Sequence, residues 1–560
     1  MGKMAGKRTY LEKLYDETLW GAAWFSWYDF PERDSVLVAG CVSSAALEEL
    51  SRRFLSVRQY DPDKSYEGCM FSAILVGGSL GSRVDNTAFL NSVKHSLSAH
   101  GILLWAADNK LGTRFLCGDD HWNDEGEYFT RQEWEHMFLS AGLPVSRVYG
   151  LMPGWHLLRN VFSDDCPLTG DTMQRLELRY VTPENLFRDE TELLHDILDN
   201  QCFSYMVNAF LLEYRQEKAE SAVLYADMYG DKDRESASVI QRLTDGMVVK
   251  KPLYIGGSVA AIYHHGEILR KRGLSVVVQQ YDGENIIMPY MEVPLLSQVM
   301  EQTAKRSETE FRRLLERYWQ CILNSSDEAE INDFPHTNQD VGKILQKAYV
   351  DMIPTNVFVS GDKLVFFDQE YCYENYPARF VLYRGLGTLY SACPDLKKFV
   401  SLETVKEWFG ITEIWPVFQV ADREHFVCRA RNMELYGEYH EKHCRNARFI
   451  NRNRQLLSRI DKLACEDLFA DIKGKKIVLF GAGRFCDRYL QEFGNIYSPD
   501  FIVDNDSEKW HKRKKSVEIL SPDVLKTMNP NFLRIIVCCH SVDSIGRQLK
   551  SLGIEDYRVY

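Results

Sequence analysis

The sequence predicts a multidomain α/β protein, and three observations lead to this prediction. First, the chain has 560 residues of ordinary globular composition, 45% hydrophobic and 26% charged, which is enough for three domains. Second, apolar runs alternate with helical patterns in residues 30–160 and again after residue 470. Third, the middle of the chain begins with strands and ends with helices. We therefore predict domains at 1–215, 216–420 and 470–560, with a helical linker at 421–469.

The charge and the cysteine pattern exclude several classes of protein. A net charge of −13 argues against a general nucleic-acid binder, whose affinity comes from an excess of Lys and Arg. No apolar run is long enough for a membrane span, and the basic N-terminus lacks the apolar core of a secretory signal. The 14 cysteines form no C-x-x-C pair. We therefore expect reduced thiols in a cytoplasmic protein, without a disulfide framework or a zinc site.

The first domain begins with strands typical of a doubly wound sheet. Residues 35–40 (SVLVAG) are an apolar run that ends in glycine, and residues 71–76 are a second buried strand. Residues 86–99 have the spacing of an amphipathic helix, and residues 101–107 form a third strand. The segment ADNKLGTRFLCGDDH follows that strand.

This order and this segment resemble class I S-adenosylmethionine-dependent methyltransferases, in particular those fused to glycan-modifying enzymes. The resemblance covers most of residues 30–160 and implies S-adenosylmethionine as cofactor, with Gly40 at the first turn and Asp61 as the ribose-binding acid. However, the turn VAGCVS keeps only one glycine, and the chain from Gly40 to Phe71 is short for two strands with their helices. Two interpretations therefore stay open: methyl transfer, and a degenerate fold that serves as a scaffold.

The second domain places a lysine on its third predicted strand. Residues 222–228, 238–243 and 247–251 read as strands, and the last two form a hairpin around Thr244-Asp245-Gly246. Val248 and Lys250 share one face of the third strand because side chains alternate. A helix at 260–272 then carries Glu267, which is either an ion-pair partner for Lys250 or a surface residue among i,i+4 charges.

Residues 349–370 (YVDMIPTNVFVSGDKLVFFDQE) carry the strongest chemical pattern. Asp351 is followed five positions later by Asn356, and then by a strand–turn–strand pattern that ends in Asp368. Phosphoryl transfer needs a carboxylate beside the attacking hydroxyl and oxygen ligands for Mg²⁺ on the phosphates. A short hairpin would bring Asp351, Asn356 and Asp368 together at one end of that hairpin. A capping pattern at Thr337 and Asp340 also predicts a helix that leads into Asp351.

Residues 220–395 as a whole resemble the atypical kinases of lipopolysaccharide core and related surface glycans. The resemblance implies a protein-kinase-like α+β fold and ATP-dependent phosphorylation of a sugar hydroxyl on a glycan or glycolipid. It assigns Asp351 as base, Asn356 and Asp368 as Mg²⁺ ligands, and Lys250 as phosphate clamp, with Glu267 as its partner. The glycine-rich G-x-G-x-x-G loop of kinases is absent. This substrate class suits a cytoplasmic protein, including one at the inner face of the membrane.

The last 140 residues combine a charged helical segment with a compact α/β pattern. Residues 421–465 are rich in Arg and Glu and read either as a dimerisation arm for a homodimer or as solvated helices. Then a strand runs into Gly481-Ala-Gly483, and a second strand ends in Asp504. This pattern resembles the Rossmann-like modules attached to nucleotide-sugar and surface-glycan enzymes. It implies a nucleotide, with phosphates at Gly481 and Gly483 and a ribose at Asp504, or a loop that only packs.

The sequence therefore leads to one main functional prediction and two alternatives from different classes. The main prediction is Mg-ATP-dependent phosphoryl transfer to a surface-glycan precursor. The alternatives are a methyltransferase that acts on a glycan, and a non-catalytic scaffold of degenerate domains in glycan assembly.

Overall fold

The structure is a computed structural model that forms two compact units, Met1–Ile450 and Asn451–Tyr560. It describes all residues except 1, 82–83, 123–126, 169–175, 218–221, 336–338, 428–432 and 458–466. Residues 2–9, 425–427 and 543 are described by their backbone alone.

One twelve-stranded sheet runs through the first unit. Its strands, numbered in chain order, are β1 (Ser35–Gly40), β2 (Ser56–Gln59), β3 (Phe71–Gly77), β4 (Leu97–Asp108), β5 (Arg147–Met152), β6 (Asn160–Ser163), β7 (Ala209–Arg215), β8 (Val223–Met228), β9 (Ser238–Leu243), β10 (Met247–Pro252), β12 (Gln280–Tyr281) and β13 (Ile286–Pro289). In space they follow the order β12-β13-β10-β9-β8-β6-β5-β7-β4-β3-β1-β2.

The sheet joins a parallel part to an antiparallel part. Strands β2, β1, β3 and β4 are parallel neighbours, whereas β7, β5, β6, β8, β9, β10, β13 and β12 pair antiparallel. The predicted hairpin of β9 and β10 is confirmed, with Lys250 opposite Ile240. The predicted boundary at residues 215 and 216 falls between β7 and β8, which belong to this one sheet.

Helices cover the sheet and form the rest of the first unit. Among the described residues, the α-helices are Gly2–Glu17, Ala23–Ser26, Ser44–Arg53, Asn86–Val93, Thr113–Leu116, Arg131–Ser140, Glu190–Asp199, Phe203–Met206, Ala260–Lys271, Leu296–Arg306, Glu308–Asn324, Ala378–Ala392, Leu402–Trp408, Trp415–Ala421, Met433–Lys442 and Ala447–Leu457, of which the last continues past Ile450, the end of this unit. Short 3₁₀ helices lie at Leu19–Ala22, Pro183–Asn185, Pro354–Asn356 and Pro394–Lys398, and a π-helical turn lies at Asp422–Val427.

Both faces of the parallel part are buried, as its continuous apolar runs predict. Along β1, Val36 and Val38 pack into one core, and Leu37 and Ala39 pack into the core on the opposite face. The predicted helix at 86–99 is too long. It ends at Val93, because Leu97 already pairs with Phe71 in the parallel ladder of β3 and β4.

The middle segment begins with strands and ends with helices, as predicted, and further strands lie between its helices. Its helices share a core with two small sheets, one made of β11 (Ser275–Val276), β16 (Lys363–Phe366) and β15 (Val357–Ser360), and one made of β14 (Ile344–Tyr349) and β17 (Cys372–Pro377). The predicted helix before Asp351 is wrong. That segment is β14, whose backbone pairs antiparallel with β17, and Thr337 lies outside the described residues.

The predicted helical segment at 421–465 is mostly helical where it is described, with a break at 443–446. Tyr436 and Tyr439 of its helix Met433–Lys442 are buried in the core under β1, and Ile450 is buried in the opposite core. These residues of the segment therefore belong to the cores of the first unit. Dimerisation through 421–465 stays a prediction.

The second unit has its own six-stranded sheet, in the order β20-β21-β19-β18-β22-β23. The strands are β18 (Lys476–Phe480), β19 (Phe501–Val503), β20 (Arg513–Lys514), β21 (Val517–Leu520), β22 (Leu533–Val537) and β23 (Tyr557–Val559). The helices Arg484–Glu492 and Val542–Ser551 and 3₁₀ turns at Ser507–Lys509, Pro522–Thr527 and Pro530–Phe532 complete it. All pairs except β20 with β21 are parallel, as the predicted βαβ pattern requires.

In the part of the chain that the structure describes, no helix combines the length and the apolar character needed to cross a membrane.

Candidate functional site

The hairpin β15–β16 brings Asp351, Asn356 and Asp368 together, as the spacing predicts. The side-chain amide of Asn356 donates to the backbone carbonyl of Asp351 at 3.1 Å and to that of Asp368 at 3.4 Å. Asp368 has a φ of 56°, a left-handed conformation that few residues other than glycine, Asn and Asp adopt. Such conformations persist where the surrounding structure holds them, and they are frequent at functional sites.

Lys250 points from β10 to this hairpin and forms an ion pair with Asp368. The lysine side chain is only 2% exposed, whereas that of Asp368 is 18% exposed. Burial lowers the pKa of Lys250, but the charges of Asp368 and Glu370 outweigh it and raise the pKa above its usual value. Glu267 is not the partner of Lys250 that the sequence suggested. It pairs with Arg270 three residues along its own helix, where i,i+3 neighbours meet.

Asp351 lies deep in the site, with a side chain that is 10% exposed. One carboxylate oxygen accepts the backbone N–H of Tyr371 at 2.8 Å, and the other lies 3.5 Å from the guanidinium of Arg384. Burial raises the pKa of Asp351 to about 6, although Arg384 and the amide of Tyr371 oppose this shift. A carboxyl with a pKa near the working pH suits a general base.

A cavity of about 160 Å³ opens beside Lys250 and Asp368. Its walls are mostly apolar and come from β8, β9, β10 and β13, from the hairpin β15–β16, and from the chain after β6. Phe358 and Phe367 stack in its floor with ring centroids 4.4 Å apart, and the segment Met288–Met291 forms one side. A narrow apolar slot with one buried lysine and one carboxylate at its end fits a flat base that carries phosphates.

The residues at this end also fit a magnesium ion. The side chains of Asn356 and Asp368 provide hard oxygen donors, which Mg²⁺ prefers, and Asp368 already faces a cation in Lys250. Within the described residues, no group of three or more His, Cys, Asp or Glu side chains is arranged to hold a metal ion by itself. A magnesium ion here would therefore share its coordination with phosphates and water, as is usual for this ion in phosphate sites.

Sequence reasoning missed three polar side chains that shape this site, Arg384, Lys232 and Glu370. Arg384, from the helix Ala378–Ala392, reaches Asp351 and also donates to Asp422 at 2.6 Å. Lys232 lies in the turn between β8 and β9, and its ammonium donates to both carboxylate oxygens of Glu370. These contacts join residues that are 33 and 138 positions apart, so no local spacing signals them.

Gly40 lies at the point where the order of the parallel strands reverses. Beyond β1, the chain continues first to β2 on one side and then to β3 on the other, and Gly40 pairs with Gly77 at the carboxyl ends of β1 and β3. Ligands of doubly wound sheets bind in the crevice at this reversal. Gly40 has a φ of 79°, and a Cβ there would collide with the carbonyl oxygen of Gly77. Strand packing is thus sufficient to explain this glycine.

Aromatic side chains fill the crevice at this reversal. A Cβ at Gly78 would lie 2.7 Å from Cζ2 of Trp155, and Trp155 itself is 2% exposed. The hydroxyl of Tyr15 donates to the carbonyl of Cys41 at 2.7 Å, and its ring lies 5.8 Å from that of Trp155. Asp61 follows β2 as predicted, but its carboxylate pairs with Lys64 at 3.0 Å. The structure therefore does not bring Asp61 and Gly40 to an open cofactor crevice.

In the second unit, the glycines and the acid of the predicted nucleotide loop do meet. Gly481 has a φ of 105°, and a Cβ there would lie 2.9 Å from the carbonyl oxygen of Cys538. Gly483 caps the helix Arg484–Glu492 and lines a cavity of about 540 Å³. Asp504 accepts the N–H of Ala482 at 2.7 Å, so this carboxylate braces the loop. Burial raises the pKa of Asp504, but this hydrogen bond and Lys509 lower it below its usual value.

The comparisons with known proteins give only distant structural similarities. No family model and no curated protein matches the chain. Among solved structures, an O-methyltransferase from a trans-AT polyketide synthase of Brevibacillus brevis, bound to S-adenosyl-L-homocysteine, is 14% identical with a TM-score of 0.20. The similarity covers 36% of this chain and 72% of that one.

Two further similar structures are of the same kind. The plantazolicin methyltransferase bound to S-adenosylhomocysteine is 12% identical, with a TM-score of 0.23, and the similarity covers 38% of this chain and 88% of that one. A methyltransferase of Thermotoga maritima is 11% identical, with a TM-score of 0.21, and covers 37% of this chain and 92% of that one. These three structural neighbours are methyltransferases matched at low coverage, and TM-scores this low carry no argument about activity.

Proposed function

We propose that the protein transfers a phosphoryl group from Mg-ATP to a hydroxyl group, with the site between β10 and the hairpin β15–β16 as its active site. The observation that carries the proposal is the meeting of Lys250 and Asp368 at the end of an apolar cavity. Asn356, just before this hairpin, bonds the backbone carbonyls of Asp351 and Asp368, so the three residues lie next to one another, as phosphoryl transfer needs.

Each side chain has a definite role in this proposal. Asn356 and Asp368 would hold the Mg²⁺, which neutralises the charge that develops on the phosphates. Lys250 is the cation that the cavity offers to phosphate oxygens, and it is kept charged because its pKa is raised. Asp351 accepts the proton of the acceptor hydroxyl, and it is mostly ionised above pH 6 because its pKa is about 6.

The acceptor class follows from the resemblance of residues 220–395 to the kinases of surface glycans. We propose a sugar hydroxyl of a cell-surface glycan or lipopolysaccharide-type precursor. The cytoplasm, including the inner face of the membrane, is the proposed location because such precursors are made there.

Methyl transfer is the second candidate, and the strand order β2-β1-β3-β4 with its reversal favours it. The packing of Trp155 against Gly77 and Gly78 opposes it, because the ring takes the room of a cofactor. A third candidate, a scaffold without catalysis, is consistent with this filled crevice. A nucleotide in the second unit, at Gly481 and Gly483, also stays a proposal.

Thermal unfolding with added ligands separates these candidates. A ligand that binds only the folded state raises the unfolding midpoint by mass action. We expect ATP to raise the midpoint in the presence of Mg²⁺ but much less after chelation, and we expect Asp368→Asn to abolish the magnesium-dependent part. Asp362→Asn is the matched control, because Asp362 is an exposed acid in the turn of the same hairpin.

The other outcomes point to the other candidates. A shift with S-adenosylmethionine alone would favour methyl transfer. No shift with either ligand at saturation would favour the scaffold and would refute the phosphoryl-transfer proposal.

A further inference from the structure

The turn between β8 and β9 takes the place of the glycine-rich loop in the proposed active site, but it is built differently. Residues 229–237 (YGDKDRESA) contain one glycine, Gly230. A Cβ at Gly230 would lie only 2.6 Å from Cδ1 of Trp20, so the turn packs tightly against the first unit's core. The turn is therefore unlike a mobile glycine-rich loop, which binds phosphates through its backbone N–H groups.

The turn follows β8 on the side of the Lys250 row that faces away from the apolar walls of the cavity. Lys250 pairs across the sheet with Ile240, and Ile240 pairs with Asp227, so the three residues form one row. Two residues along the strands, on the same face of the sheet, Val248 pairs with Arg242, and both line the cavity. From Asp227 the chain continues to the turn in the direction that leads away from Val248, Arg242 and the apolar walls of the cavity. A ligand whose base fills the cavity would therefore extend its charged end toward the turn.

Lys232 in this turn forms a second ion pair beside that of Lys250 and Asp368. Its Nζ lies 2.8 and 2.7 Å from the two carboxylate oxygens of Glu370, which is two residues after Asp368. Burial lowers the pKa of Lys250, and the charges of Asp368 and Glu370 both raise it, so Glu370 lies within electrostatic reach of Lys250. Two lysines and two carboxylates thus form two neighbouring ion pairs, of which Lys250 and Asp368 line the cavity.

The ammonium of Lys232 is held in place from several sides. Its side chain is 12% exposed, and that of Glu370 is 15% exposed. The nitrogen lies 4.9 Å from the ring centroid of Tyr229 and 5.5 Å from that of Tyr371, which are favourable distances for a cation over an aromatic face. This lysine is already desolvated and oriented, so little freedom is lost when it meets an anion.

We infer that Lys232 is a second phosphate-binding cation, which Glu370 holds in the ligand-free protein and which replaces the glycine-rich loop toward the polyphosphate of a nucleoside triphosphate. The inference rests on the proposed function, because it needs a nucleotide in the cavity. An ammonium group has three donors, so Lys232 can bind a phosphate oxygen while it keeps one bond to Glu370.

Calorimetric titration of the full chain with Mg-ATP and, separately, with adenosine tests this inference. We expect the double variant Lys232→Met/Glu370→Gln to bind Mg-ATP at least about ten-fold more weakly, the effect of one lost charged hydrogen bond, and to bind adenosine as the wild type does. The double variant removes both charges together, so no buried carboxylate is left unpaired and the fold is preserved. Lys271→Met, at an exposed lysine of the helix Ala260–Lys271, is the control and should bind both ligands normally.

A third variant separates a phosphate-binding role from a merely structural ion pair. Glu370→Gln frees Lys232 from its carboxylate, so we expect its affinity for Mg-ATP to equal or exceed that of the wild type. If Lys232→Met/Glu370→Gln binds Mg-ATP as tightly as the wild type, the ion pair is structural and the inference is wrong, while the proposed function stands. If the wild type binds neither Mg-ATP nor adenosine, both are wrong.

Discussion

Asp351 links the proposed chemistry to a measurable cost in stability. Its pKa is raised to about 6, mainly by burial, compared with about 3.9 for an ordinary aspartate. Each unit of pKa corresponds to about 1.4 kcal/mol, so the ionised carboxylate costs the folded protein roughly 3 kcal/mol. A buried carboxylate that lowers the stability of the folded protein by this amount is expected at a site where the charge serves a function.

The direction of the pH dependence follows from the raised pKa. Between about pH 4 and pH 6 the folded protein holds the proton of Asp351 and the unfolded chain has lost it, so stability falls as the pH rises through this window. Asp351→Asn removes the ionisable group. The asparagine oxygen still accepts the N–H of Tyr371, and Arg384 keeps Asp422 and the carbonyl of Val350 as partners.

We therefore expect Asp351→Asn to be more stable than the wild type by about 1–3 kcal/mol at pH 7.5, with the gain vanishing near pH 4. Urea unfolding followed by tryptophan fluorescence reports on the first unit, because Trp510 is the single one of the 11 tryptophans outside it. Asp119, whose pKa burial also raises to about 6, is present in both proteins, so its contribution cancels in the difference.

The same variant should lose phosphotransfer by about 10²–10⁴-fold, the usual contribution of a general base. A variant that is less stable than the wild type at pH 7.5 would refute the reasoning, because pairing with Arg384 would then outweigh burial. A variant that keeps full phosphotransfer would remove Asp351 from the role of base.

Three further predictions concern the other parts of the molecule. Trp155→Ala should lower the free energy of unfolding of the first unit by about 3–5 kcal/mol in urea titrations, because it empties a buried site. Gly40→Ala should lower the unfolding midpoint clearly more than Gly246→Ala, since both have positive φ but only Gly40 would clash with backbone. Asp504→Asn should speed amide hydrogen exchange at Ala482, because the N–H of Ala482 donates to this carboxylate. In the wild type, the protection of this amide from exchange should weaken as the pH falls through the lowered pKa of Asp504.

Each of these predictions has a clear contrary result. A Trp155→Ala protein as stable as the wild type would mean that the ring does not fill the crevice. Equal losses for the two glycine variants would mean that the approach of β1 to β3 is not the constraint. Unchanged exchange at Ala482 would mean that Asp504 does not brace the loop and is available to a ligand.

Local patterns in the sequence were sufficient for the elements that carry the proposed site. The hairpin that joins Asn356 to Asp368 is encoded by two short apolar runs around Ser360-Gly361-Asp362, and its geometry depends on neighbours in the chain. The same holds for Lys250, because alternation along β10 fixes its face. The helix predicted before Asp351 failed, because pairing of β14 with the distant β17 overrode the local capping signal.

By itself, the sequence determined the α/β class, the buried parallel strands and the closeness of Asp351, Asn356 and Asp368, since these depend on periodicity and short-range turns. Only the tertiary structure decided that Lys250 pairs with Asp368 and not with Glu267, that Trp155 fills the crevice beside Gly77, and that Lys232 reaches Glu370. These contacts join side chains up to 138 positions apart, and the packing that selects among them is a property of the whole folded unit.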